Sequence, residues 1–446
     1  MVSTSMIPNY RPLLGWVVAL WFAVSARGQN VVITISPHPA EIREEFGSAF
    51  QRWHQEKFGA DASIEWRDVG GASEAQRFVE SEFKGKSAGE GIGIDLFFGG
   101  GPDPCLSLAK GGMLASPDID PEVLKGIPLQ AAGVELLDPR RLWFGACLAS
   151  FGILQNQRAR ELAQLPHIER WDQLAQPEVL GWVGAADARN SGTMNNMYES
   201  FLQAYGWERG WQLLTTVAGN TRQFDRFSTT TAKECVAGQT AFAFCVDYFG
   251  FTQIDAVGAT NLELTLPTDF TSTSIDGIAQ LRGGPHPVIT SRFITFVLSD
   301  AGQRLWYLPK GHPEGPRFHS LNRLPVRPEI YRRYAGESAI RVNPFDLKQT
   351  FHFDANLARS RQDIVRSLHG ALLVDNHREL VKAWKAIIDR GSTSSDLAEL
   401  GKVPLTSDEA VQLASGPWKD ASERQRLKQQ WQRWASEKYH RLAHRP

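Results

Sequence analysis

The hydrophobic positions follow two alternating periods. Residues 31–36 (VVITIS) form a β-branched run, the mark of a strand. Pro37-His38-Pro39 ends it, and Ile42, Phe46, Phe50 and Trp53 then recur at helical spacing. Residues 63–69 (SIEWRDV) predict a second strand, closed by Gly70-Gly71-Ala72-Ser73, and a helix carrying Phe78, Val79 and Phe83 follows. Residues 93–98 (GIDLFF) predict a third, fully buried strand ending at Gly99-Gly100-Gly101. Strands alternating with helices, with glycine at the strand ends, predict a parallel α/β sheet. Ligands of such sheets lie outside the carboxyl ends of the strands. The loops at His38, 70–73 and 99–101 share that edge.

A second α/β region opens with residues 142–154 (LWFGACLASFGIL). Residues 179–186 predict another apolar strand, ending at Asp187-Ala188-Arg189-Asn190-Ser191-Gly192-Thr193, with a helix through Tyr198, Phe201 and Leu202 beyond it. The run 227–231 (FSTTT) leads into a short helix to Val236, then a strand over 240–246 closed by Asp247-Tyr248-Phe249-Gly250. Residues 262–267 and 273–279 read as strands returning to the first unit. Residues 293–298 with 303–306 read as helical, and 313–328 as a proline-rich irregular run. Beyond Val342 the pattern is helical over 353–372, 377–389, 407–413 and 422–442, with a flexible break at 391–395 (GSTSS). There is no internal repeat.

Composition narrows the class. The 446 residues are 42% hydrophobic, with 48 Lys and Arg against 49 Asp and Glu, which excludes a disordered chain and leaves no positive field for nucleic acid. Residues 13–24 form an apolar run too short for a membrane span, and Ser25-Ala26 supplies a small-residue cleavage end. We read 1–26 as a secretory signal, the alternative being an uncleaved anchor. The mature protein is then expected to be exported, soluble and monomeric. Four cysteines, Cys105, Cys147, Cys235 and Cys245, permit two bridges in three pairings or remain buried thiols.

The order of segments resembles the type 2 periplasmic solute-binding proteins of ABC importers, in the group of ferric-ion, thiamine and phosphonate or sugar-phosphate binders. Four passages carry the resemblance: the strand–helix opening over 31–58, the strand end Asp95-Leu96-Phe97-Phe98-Gly99-Gly100, residues 171–192 (WDQLAQPEVLGWVGAADARNSG) and residues 276–311 with their SDAGQ turn. It covers about residues 30–335. The resemblance implies an α/β fold of two lobes joined by two crossover strands, with the solute between them and an ABC permease of the inner membrane as partner. The expected division is a signal at 1–26, lobe 1 at 27–140 and 261–335, lobe 2 at 141–260, and a helical extension at 336–446.

Three hydroxyl-bearing loops, 70–73, 191–193 and 228–231, suit an oxyanion, because a helix N-terminus offers free N–H groups and the positive dipole end. Plain helix capping explains the same residues. Arg189 and Arg226 flank two of the loops and offer a bidentate clamp or a solvated surface. Ferric-ion binders of the resembled family carry adjacent tyrosines where this chain has Tyr248 and Phe249, so one hard ligand is missing. His38 matches a position where some of them carry a histidine. The candidate ligand-binding residues are therefore His38, Gly71, Ser73, Gly100, Arg189, Ser191, Gly192, Thr193, Arg226, Thr229, Thr230, Asp247 and Tyr248. His38 and Tyr248 are metal ligands only under a ferric-ion alternative, and no cofactor is expected otherwise. A phosphorylated or phosphonate solute ranks first and iron second. An exported hydrolase or a sensor domain is the third reading, although no G-x-S-x-G, H-E-x-x-H or G-x-x-x-x-G-K-[ST] is present. Two tail features stay open. Trp431 and Trp434, set among arginines and lysines, suit a membrane or permease surface, or packing on the body. His440 and His444 suit a weak metal pair or a frayed helix end.

Overall fold

The computed structural model describes residues 30–347 and 351–445. The segment read as an export signal lies outside them. β1 (Val31–Ile35) buries Val32 and Ile35 completely. Pro37 and Pro39 stop it, and α1 (Ala40–Phe58) buries Ile42, Phe46 and Phe50 along one face. β2 (Ser63–Arg67), α2 (Ala72–Glu82), β3 (Leu96–Phe98) and α3 (Pro102–Lys110) complete the opening unit. Gly99, Gly100 and Gly101 all have left-handed φ (103°, 86° and 80°), which bends the chain sharply between β3 and α3. A Cβ on Gly99 would stand 2.7 Å from the His38 ring, so this turn tolerates only glycine.

β4 (Phe144–Asn156) is a single 13-residue strand. After it come β5 (Val183–Ala186), α4 (Gly192–Ala204), α5 (Trp207–Asn220), β6 (Thr221–Asp225), α6 (Ser228–Val236), β7 (Phe242–Val246) and α7 (Asp247–Val257). β8 (Leu262–Thr265), β9 (Thr273–Gln280), α8 (Pro287–Leu298) and α9 (Asp300–Tyr307) follow. The sheet runs β2-β1-β3-β9-β4-β7-β5-β6, with β8 also paired to β4. β4 divides its pairing: Phe144–Ser150 lies against β9, whereas Phe151–Gln155 lies against β7. β1, β2 and β3 are mutually parallel, as are β5, β6 and β7. Two parallel units thus meet along one long strand, with β9 returning to the first. α5 has no counterpart in the expectation from sequence.

The C-terminal region is helical: α10 (Ala355–His369), a π turn over Gly370–Val374, α11 (His377–Asp389), α12 (Ser394–Gly401), α13 (Ser407–Ser415) and α14 (Ala421–Ala443). It shares one apolar core with the second unit. Trp384 donates Nε1–H to Asn220 Oδ1 at 2.6 Å, and its ring lies so close to Gly219 that a Cβ there would clash at 2.8 Å. The break expected at 391–395 is a helix start instead, because Thr393 and Asp396 form a reciprocal capping box. Trp431 is buried and stacks on Trp418, and Lys438 lies over Trp434, so these tryptophans pack on the body. His444 Nδ1 bonds the His440 carbonyl at 2.8 Å at the end of α14. All four cysteines are buried free thiols. Among the described residues no helix is long and apolar enough to cross a membrane.

Candidate functional site

Parallel strands deliver the N-termini of the helices that follow them to a common edge. Here α1, α2 and α3 of the first unit and α4, α6 and α7 of the second all begin at that edge. Ser191 caps α4 by accepting from Met194 N–H at 3.2 Å. Gly71, Gly101 and Phe227 cap α2, α3 and α6 without any side-chain hydrogen bond; α3 opens with Pro102 and Pro104, which have no N–H, so it is α2 and α6 whose first turns have amide donors to offer. Ser73, Thr229 and Thr230 stand in first turns rather than ahead of them, exposed, and do not cap their helices. Gly192 and Thr193 open α4. Arg226 is exposed, its guanidinium 5.2 Å from the Phe227 ring centre.

Where β4 passes between the units, a polar cluster is buried. His38 Nε2 meets Asp276 Oδ2 at 2.8 Å, and Asp276 Oδ1 accepts from Gly101 N–H at 3.0 Å. Burial alone would raise the Asp276 pKa, but His38, Arg323 and the Gly101 amide together hold it well below the ordinary carboxylate range. Arg323 reaches Asp276 Oδ2 at 3.5 Å, and its guanidinium carbon lies 4.1 Å from the centre of the Tyr248 ring. Asp247 accepts from Ser150 N–H at 2.7 Å and from Tyr248 N–H at 2.6 Å. Burial pushes the Asp247 carboxyl up to about 7, against the opposing pull of those amides and of Arg323. Ser150 Oγ and Thr273 Oγ1, one on each crossing strand, are 2.9 Å apart.

The structure thus brings together His38, Asp247 and Tyr248, with Gly100 in the adjoining turn, and adds Asp276, Ser150 and Arg323. Arg323 escaped the sequence reading because it sits in the irregular run 313–328. The only local hint was a lone arginine between apolar Leu321 and Leu324, both buried. The chain there is held by a bridge from Leu148 N–H to Leu324 O at 2.7 Å.

Two expectations are revised. Arg189 does not stand open as an anion clamp. Its Nε and Nη2 bind Asp187, and Nη1 and Nη2 bind Asp375 at 3.1 and 2.9 Å. His38 is a poor metal ligand: it is 5% exposed, lies edge-on against Phe98, and gives Nε2 to Asp276. A cation already covers the Tyr248 ring, which opposes a ferric ion beside that phenol. Among the described residues no group of three His, Cys, Asp or Glu is arranged to hold a metal.

A two-unit α/β body with helix N-termini converging on a polar seam is the periplasmic-binding-protein fold. Residues 115–321 match the family model described as bacterial extracellular solute-binding protein. The chain is similar to the phosphoglycerate transport regulatory protein PgtC of Salmonella typhimurium, 25% identical over 233 residues, which cover 50% of this chain and 56% of that protein. The match therefore spans little more than half of the curated relative. Among solved structures, an extracellular solute-binding protein from Bordetella parapertussis superposes with a TM-score of 0.58 at 13% identity, covering 77% of this chain and 98% of the other. Iron-bound HitA from Pseudomonas aeruginosa gives 0.51 at 18% identity, covering 71% and 91%. Both likenesses concern the fold.

Proposed function

We propose that the protein is an exported receptor that captures a small phosphorylated or phosphonate solute between its two lobes and delivers it to an ABC permease. In this reading lobe 1 comprises 27–140 and 261–335 and lobe 2 comprises 141–260. The observation that carries the reading is Arg323. It is a guanidinium with only 12% of its side chain exposed, placed at the seam between the units, and its ion pair among the described residues is long and made to an Asp276 oxygen that also binds His38. Such a group has donors left for a bound oxyanion, and a charge-assisted bond there is worth about 1.5–3 kcal/mol. The uncapped ends of α2 and α6 add amide donors at the same edge. That a relative is named for phosphoglycerate transport agrees with this ligand class.

The test is a thermal-shift panel of 3-phosphoglycerate, hexose phosphates, a phosphonate, thiamine and ferric citrate, run on wild type and Arg323→Met. Binding of the native state raises its apparent stability by about 2.7 kcal/mol at a hundredfold excess over Kd. A phosphorylated compound is expected to stabilise wild type and to lose that effect in Arg323→Met. Stabilisation by thiamine alone, or a coloured ferric complex lost in Tyr248→Phe, would displace the reading.

A further inference from the structure

α4 presents Ser191, Gly192 and Thr193 at the ligand edge, and the C-terminal region grips this helix along its whole length. Ahead of its first turn, Arg189 is shared between Asp187 in the loop and Asp375 in the C-terminal region. The π turn comes so close that a Cβ on Gly370 would stand 2.6 Å from Arg189 Cδ. In mid-helix, the Tyr198 ring stacks on His369 at 4.2 Å while its hydroxyl donates to Ala186 O at 2.9 Å. One residue on, Glu199 forms a fully buried ion pair with Arg361 at 2.7 Å. At the far end, Gln203 exchanges two hydrogen bonds with the backbone of Asp354. These contacts reach strand end, loop and helix in turn.

We propose that the C-terminal helical region is a splint that fixes the N-terminus of α4 at the ligand edge, and that Asp375 is a positioning residue acting through Arg189. Without the splint, the 187–191 loop keeps its Asp187–Arg189 pair, the Asp187 N–H bond to Asp225 O and the Ser191 cap on Met194, but Arg189 loses its second carboxylate and is free to change rotamer, which loosens the first helical amides beside it. Core packing alone does not account for the arrangement. The Arg189–Asp375 pair is about one-third exposed, lies at the edge of the shared core, and touches the loop that brings α4 to the ligand edge.

The test is hydrogen exchange on the full chain without solute, so its outcome does not depend on which ligand is bound. Wild type is compared with Asp375→Ala, Arg189→Ala and the double variant. Because the pair is partly exposed, the expected effect is modest: exchange of amides 190–195 quickens by about three- to tenfold in Asp375→Ala. Amides of β3 and α3 stay unchanged, and Asp375→Ala adds nothing further in the Arg189→Ala background. Unchanged exchange at 190–195, an equal acceleration in every segment, or full additivity of the two substitutions would each overturn the proposal.

Discussion

Replacing Asp247 by asparagine should convert a pH-dependent cost into a fixed one. The carboxyl is completely buried at the seam and is held at about 7 in the folded state, chiefly by desolvation. In the unfolded chain the group titrates near about 3.9. A folded pKa raised above the unfolded one favours folding most below the unfolded value, and that advantage is lost as pH rises through the folded value. Linkage then costs the native state about 1–2 kcal/mol at pH 5 and about 4 kcal/mol at pH 8. Wild type should therefore lose about 2–3 kcal/mol relative to Asp247→Asn between those two pH values. Asparagine keeps one acceptor oxygen where the carboxylate has two, so one of the Ser150 and Tyr248 amides loses its partner. That loss is a pH-independent penalty of about 1–3 kcal/mol for the variant. Urea unfolding of both proteins at pH 5, 6.5 and 8 separates the two terms, and titration of other groups cancels in the difference. A wild-type minus variant difference that stays flat across this range would refute the account of Asp247.

Three other outcomes follow from the same geometry. Arg361→Met leaves Glu199 as an unpaired buried charge and should cost about 3–5 kcal/mol, read by urea unfolding, whereas replacing both partners with apolar residues should restore much of the loss. All four thiols are buried, and burial pushes Cys105 and Cys235 up to about 12, so a thiol reagent at pH 8 should label none of them in the native protein and all four in urea. Trp384→Ala removes the indole that fills the space over Gly219 and should destabilise by about 3–5 kcal/mol in the same unfolding assay.

The framework of strands was legible because it rests on local rules. The β-branched run 31–36, the apolar run 142–154 and the glycines of 99–101 each satisfy a strand or a left-handed turn without reference to distant residues. The polar seam was half legible. His38, Asp247 and Tyr248 follow strand ends, where a ligand edge is expected, but Asp276 lies inside a strand and Arg323 inside an irregular loop. Only the crossing of β4 and β9 brings those two together. Arg189 was misjudged for the opposite reason: its position beside a helix start suited an anion clamp, while its second carboxylate partner lies 186 positions away in sequence. α5 was missed because Thr215, Thr216 and two glycines weaken its pattern, and packing against the C-terminal helices supplies what local propensity lacks.

The central claim is a solute held between two lobes that close upon it. Small-angle scattering of the full chain, with and without the stabilising phosphorylated compound, tests it most directly. The account predicts a smaller radius of gyration at saturation, with no such change when that compound is added to Arg323→Met. Binding at saturation with an unchanged scattering curve would place the solute outside the seam and contradict it.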